Sequence, residues 1–167
     1  MGSEMCIRDS VPAVETGVKA ALESGALAGY PVIDVKVTLY DGSYHEVDSS
    51  DVAFRMAGFM STRAGLDKAK PVILEPIMEV EVTTPDQFVG DIVGDLSSRR
   101  ARIEGIESCD GFSSIRCLVP LAETFGFAGD LRSLSQGRAS YTICFHSYEE
   151  LPQDLVEQIT AKAGRVR

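Results

Sequence analysis

Apolar positions fall into a readable order from residue 11 onward. Val14, Val18, Ala21 and Leu22 recur at helical spacing behind Pro12, a residue suited to a first helical position, and Gly25 and Gly29 end the run. Over 31–40, Ile33, Val35, Val37 and Leu39 alternate with Asp34, Lys36 and Thr38, which predicts a strand with one wet face. Asp41-Gly42 closes it with a turn. Asp48-Ser49-Ser50 supply capping residue types, and Asp51 suits the positive first turn of the helix they open. Val52, Met56, Phe59 and Met60 form its expected buried stripe, with Phe54 lying off it. Lys68–Pro76 reads as a connector, where Pro71 and Pro76 bracket Val72-Ile73-Leu74.

A second, self-consistent pattern follows. Met78, Val80 and Val82 alternate with Glu79, Glu81 and Thr83, predicting a strand over 77–84. Thr84-Pro85-Asp86 opens a helix carrying Phe88, Ile92 and Leu96 at every fourth position. Segments 101–108 and 114–119 read as two strands around an Asp110-Gly111 turn, and the apolar parity slips around Gly105, which predicts a bulge. Leu121–Ser133 is expected to be helical with Phe125 among its core residues, and Ala139, Tyr141, Ile143 and Phe145 mark a last strand. The order β-α-β-β-α-β is the ferredoxin-like arrangement, a four-stranded sheet with both helices on one face. A final helix follows Pro152, with Leu155, Val156 and Ile159 as its apolar edge.

The fold class is therefore α+β. Three segments emerge. Residues 1–10 break in style from the rest and read as an appended or misjoined leader. Residues 11–75 offer two helices and one convincing strand, too few to close a layer, so the chain reads as the tail of something longer. Residues 76–167 hold the complete sandwich.

Length and composition narrow the function. At 167 residues, 44% hydrophobic and 25% charged, the chain is globular and holds one domain or two small ones. A formal net charge of -9 argues against attachment to nucleic acid by bulk positive charge, while leaving local basic contacts open. No apolar run approaches a membrane span. Cys6, Cys109, Cys117 and Cys144 form no CxxC pair, so neither a disulfide scaffold nor a zinc site is indicated.

Catalytic signatures are missing. The sequence has no GxxxxGK[ST], no GxSxG and no HExxH. Cys144 and His146 share a strand face but lack a second ligand pair. Thr83-Thr84-Pro85-Asp86 places an acid where an acyl phosphate hydrolase of this fold would hold its anion. Arg99, Arg100 and Arg102 group at the end of one helix, and Arg132 and Arg138 flank another. Cations there complement the helix dipole, or they form a phosphate-contacting patch. The loop Asp41-Gly42-Ser43-Tyr44-His45-Glu46 is equally open: a solvated turn, or a tip that meets RNA by stacking and hydrogen bonding.

Several long runs carry a resemblance. Tyr30–Ser50, Pro12–Glu15 before it and Ala53-Phe54 after it closely resemble the fourth domain of bacterial-type elongation factor G. Glu79–Pro85, Gly94–Leu96, Ile103–Gly105 and Leu134–Tyr141 look like its fifth domain. The resemblance implies a partial ribosomal-protein-like α/β unit with a left-handed crossover over 11–75, followed by a ferredoxin-like domain over 76–167. It implies a cytoplasmic, ribosome-dependent GTPase as the parent, using GTP and Mg and moving tRNA and mRNA by one codon.

For this chain the resemblance implies no enzyme activity, no cofactor and no metal, because the GTPase domain lies outside it. Gly42, Ser43, Tyr44 and His45 would be the tip that contacts the tRNA–mRNA duplex. Arg99, Arg100 and Arg102 would be ribosomal RNA contacts. The expected partner is the ribosome, engaged by a monomer, with no membrane and no DNA. A freestanding ferredoxin-like interaction or ligand-sensing module is the alternative.

Overall fold

A computed structural model describes residues 3–43 and 49–164. The chain divides into two compact units: Leu74–Leu151, and the described residues before it together with those after it.

The unit Leu74–Leu151 has the predicted architecture. Its elements are β1 (Leu74–Pro85), α3 (Val89–Ser98), β2 (Arg102–Cys109), β3 (Phe112–Pro120), α4 (Phe127–Leu134) and β4 (Ser140–Glu150). The sheet order is β2-β3-β1-β4 and every pairing is antiparallel. Val80, Val82, Ile115, Cys117 and Val119 point from the sheet into one core with Phe88, Ile92 and Leu96 from the α3 side and Phe127 and Leu131 of α4. Asp110 and Gly111 both take left-handed angles (φ 53° and 82°), which suits the two-residue hairpin between β2 and β3. The register slips between Ile103 and Gly105, where the parity shift predicts it.

The helix expected over 121–133 is broken. Leu121–Glu123 forms a single 3-10 turn, and α4 begins only after Gly126, whose φ of 82° no continuing α-helix can accept. The break reverses the expectation for Phe125. Its side chain is 77% exposed, and Phe127, two residues on, is 2% exposed and takes the core position.

The other unit pairs α1 (Ser3–Ser24) with α2 (Asp51–Ala69); α5 (Gln153–Gly164) belongs to it by contact. Pro12 lies inside α1 rather than at its start. Ser50 caps α2 as expected, accepting from the Ala53 N–H at 3.2 Å. Residues 31–40 are not a strand: they make no ladder. Ile33, Val35, Val37 and Leu39 stand about half exposed, at 47–53%. Alternation alone does not make a strand, because the ladder needs a second backbone, and no described residue of this unit pairs with it.

Of the expected stripe of α2 only Phe59 is half-buried, and the other three residues are exposed. Val52, Met56 and Met60 are 68%, 54% and 63% exposed, while Gly58 and Leu66 are buried. The face turned to α1 is the small one. A Cβ on Gly17 would lie 1.9 Å from the Arg55 carbonyl oxygen, and one on Gly58 would lie 2.6 Å from that of Val14. Two helix backbones this close leave room for glycine and little else, so the larger apolar residues turn away.

Gly17→Ala should therefore force the helices apart and destabilise their packing by about 1–3 kcal/mol. Amide hydrogen exchange is expected to accelerate in α1 and α2 and to stay unchanged in β1 and β3.

Candidate functional site

The tip proposed from sequence is only half described. Gly42 and Ser43 are exposed, and the Gly42 N–H donates to Oδ1 of the preceding Asp41 at 2.8 Å. Thr38–Ser43 line a shallow open depression of about 440 Å³. Tyr44 and His45 lie outside the described residues.

The three grouped arginines are engaged within their own unit. Arg99, with its side chain 14% exposed, donates from Nε to Asp95 Oδ2 at 2.8 Å and from Nη2 to Asp130. Its Nη1 donates to the carbonyls of Glu123 at 2.9 Å and Phe125 at 3.3 Å. The guanidinium also sits 5.5 Å from the centroid of the Phe127 ring. Hydrogen bonding to Asp95 is the main cause that raises its pKa. Arg99 thus ties the end of α3 to the loop that enters α4.

Arg100 and Arg102 form forked pairs with carboxylates. Arg100 reaches Glu75 at 3.1 and 2.5 Å, and Arg102 reaches Glu149 at 2.9 and 2.5 Å. Glu75 and Glu149 are direct cross-strand partners, so two like charges face each other where β1 begins and β4 ends. Such a pair repels unless each acid has its own cation, and each does. Arg100 also takes the left-handed φ of 61° that turns the chain out of α3.

Arg116 pairs with Glu107 at 2.6 Å on the sheet. Arg132 and Arg138 differ. Both are exposed, on either side of the Gln136-Gly137 turn between α4 and β4, and neither has an ion pair among the described residues. Sequence reasoning noted them as flanking cations; only the pairing of the others singles them out.

No group of metal-binding side chains exists among the described residues, and no described helix is long and apolar enough to cross a membrane. Cys109 and Cys144 are exposed, whereas Cys117 is buried on β3 beside β1, with its thiol 3.6 Å from the Val80 carbonyl. Burial, with a smaller contribution from Glu104, pushes that thiol up to about 11. Where β1 meets the first helix, Asp86 accepts from Ser113 at 2.6 Å, and Ser113 touches Ser108 at 2.7 Å. The acid of the loop that would face an anion in an acyl phosphate hydrolase is thus bonded to the β2–β3 hairpin.

Two family models match successive stretches of the chain. Residues 5–70 match elongation factor G, domain IV, and residues 72–159 match the elongation factor G C-terminus. Among solved structures, a crystal structure of a Thermus thermophilus protein is 40% identical over 94% of this chain, with a TM-score of 0.83. The chain spans 24% of that protein's length.

Hydrogen bonding to Arg102 is the chief cause that holds the Glu149 carboxyl below its ordinary value. Its contribution is complete above that ordinary value and is lost as pH falls through the lowered one. Arg102→Gln should flatten the acid limb of a stability–pH curve read by thermal melting, with little change at neutral pH beyond that of an exposed ion pair.

Proposed function

The chain belongs to the elongation factor G family, and from that premise we propose that it is the part of a ribosomal translocase that braces tRNA and contacts the large subunit. The two matches in family order, domain IV directly followed by the C-terminal domain, carry this reading.

In this proposal the work is mechanical. Gly42, Ser43, Tyr44 and His45 form the tip that meets the tRNA–mRNA duplex in the decoding centre, with His45 as the principal contact. The tip makes hydrogen bonds that favour the advanced tRNA position over the earlier one. A shift from even to ten to one needs about 1.4 kcal/mol of differential interaction, which a few polar contacts supply. Hydrolysis of GTP belongs to the parent factor, in a domain outside this chain. The setting is the cytoplasm.

The ferredoxin-like unit would dock on ribosomal RNA. Because carboxylates of the same unit hold Arg99, Arg100 and Arg102, we assign the phosphate contact chiefly to the exposed Arg132 and Arg138. Arg132 stands in the last turn of α4 and Arg138 directly follows the turn at Gly137 (φ 76°). The grouped arginines then act on RNA indirectly, by fixing the unit that carries the turn.

In the complete factor, His45→Ala is expected to slow translocation about tenfold while ribosome-stimulated GTP hydrolysis stays near normal. Equal loss of both in stopped-flow assays would count against the tip. The double variant Arg132→Ala/Arg138→Ala is expected to weaken ribosome binding and reduce its salt dependence by about two counterions, read by sedimentation across a salt series. An unchanged salt slope would remove these arginines from the interface.

A further inference from the structure

Segment 31–40 has the sequence of a strand, and no described residue pairs with its backbone. Ile33, Val35, Val37 and Leu39 are 47–53% exposed, and Tyr30 and Tyr40 at its ends are 53% and 94% exposed. Unpaired backbone beside a row of open apolar side chains is a template for a further strand. One edge is free to take it. Once extended, the segment turns its backbone groups alternately to two sides. The Val32 N–H is held by the Leu22 carbonyl of α1 at 2.8 Å, which leaves the edge of Ile33, Val35, Val37 and Leu39 open.

A second copy of the same segment fits that edge in one register. Antiparallel copies keep apolar side chains against apolar ones only when the two-fold axis passes through a residue and not between two. An axis at Asp34 sets that acid against itself, and an axis at Lys36 does the same for the lysine. An axis at Val35 sets Asp34 opposite Lys36 twice, Ile33 opposite Val37, Val35 opposite itself and Tyr30 opposite Tyr40. The open edge then bonds through Ile33, Val35 and Val37. Asp34 and Lys36 fall at the positions without hydrogen bonds, where opposed side chains come closest. Both copies use the same edge, so the pairing closes on itself.

One residue has to move. Asp34 holds a left-handed φ of 58°, which no ladder accepts. That conformation is disfavoured wherever there is a Cβ, so pairing exchanges it for an ordinary one. We infer that the 167-residue chain forms a two-fold dimer in which the 31–40 segments of two copies pair antiparallel about Val35. Such a dimer departs from the monomer implied by the resemblance, and it does not rest on the ribosomal reading.

Sedimentation equilibrium over a concentration series tests the dimer, with the 167-residue chain and its charge variants. The unaltered chain is expected to pass from monomer to dimer as concentration rises. Lys36→Glu sets acid against acid at two positions, and Asp34→Lys sets lysine against lysine. Each should raise the dissociation constant about tenfold. The double variant Asp34→Lys/Lys36→Glu restores opposite charges and should restore the dimer. Both side chains are exposed, so helical circular dichroism should be the same in all four chains. A dimer indifferent to the single reversals, a double variant as weak as either single one, or open-ended assembly overturns the inference. A monomer at every concentration also overturns it and leaves the segment to a strand from outside this chain.

Discussion

One guanidinium sets the geometry of the helical layer. Arg99 is nearly enclosed, and each face of its fork is taken by a carboxylate or a backbone carbonyl. A cation withdrawn from water this far is tolerated only when its donors are satisfied. Here the satisfying groups come from α3, from the 3-10 turn and from the start of α4, so the requirement of one side chain fixes three segments together. The Phe127 ring beneath it fills the core, and the displacement of Phe125 to the surface follows from the same arrangement.

The ferredoxin-like unit was legible in the sequence because its signals are local and mutually consistent. Alternation in Met78–Thr83, fourfold spacing in Phe88, Ile92 and Leu96, and Asp110-Gly111 each name an element without reference to any other. The Gly105 bulge was legible for the same reason. Phe125 was not. Apolar periodicity from Leu121 to Ser133 favoured one helix, and the decisive fact was a single positive φ at Gly126. Gly126 beside two phenylalanines was the available sign of a break.

The other unit shows what pattern reading cannot supply. Ile33–Leu39 has the sequence of a strand, yet strand formation is a property of two backbones, and one segment does not reveal whether its own unit holds the second. In α2 the periodicity selects an apolar face, while the observed contact with α1 uses Gly17 and Gly58, which weigh nothing on a hydrophobic scale. Close backbone approach gains dispersion contacts over many atoms at once, and no single residue advertises it. Of the candidate site, residue types were readable but occupancy was not. That Arg99, Arg100 and Arg102 are matched by Asp95, Glu75 and Glu149 depends on contacts across 4 to 47 residues of chain.

The ferredoxin-like unit also has a mechanical consequence in its ends. Leu74, where the chain enters, is the register partner of Glu150, where it leaves. Tension applied through the two connections therefore acts across a single rung of the β1–β4 ladder and unzips it stepwise, instead of shearing all rungs together. Glu75–Arg100 and Glu149–Arg102 lie at the first rungs to be loaded. They form a buckle at the one place where a pull would begin to open the fold.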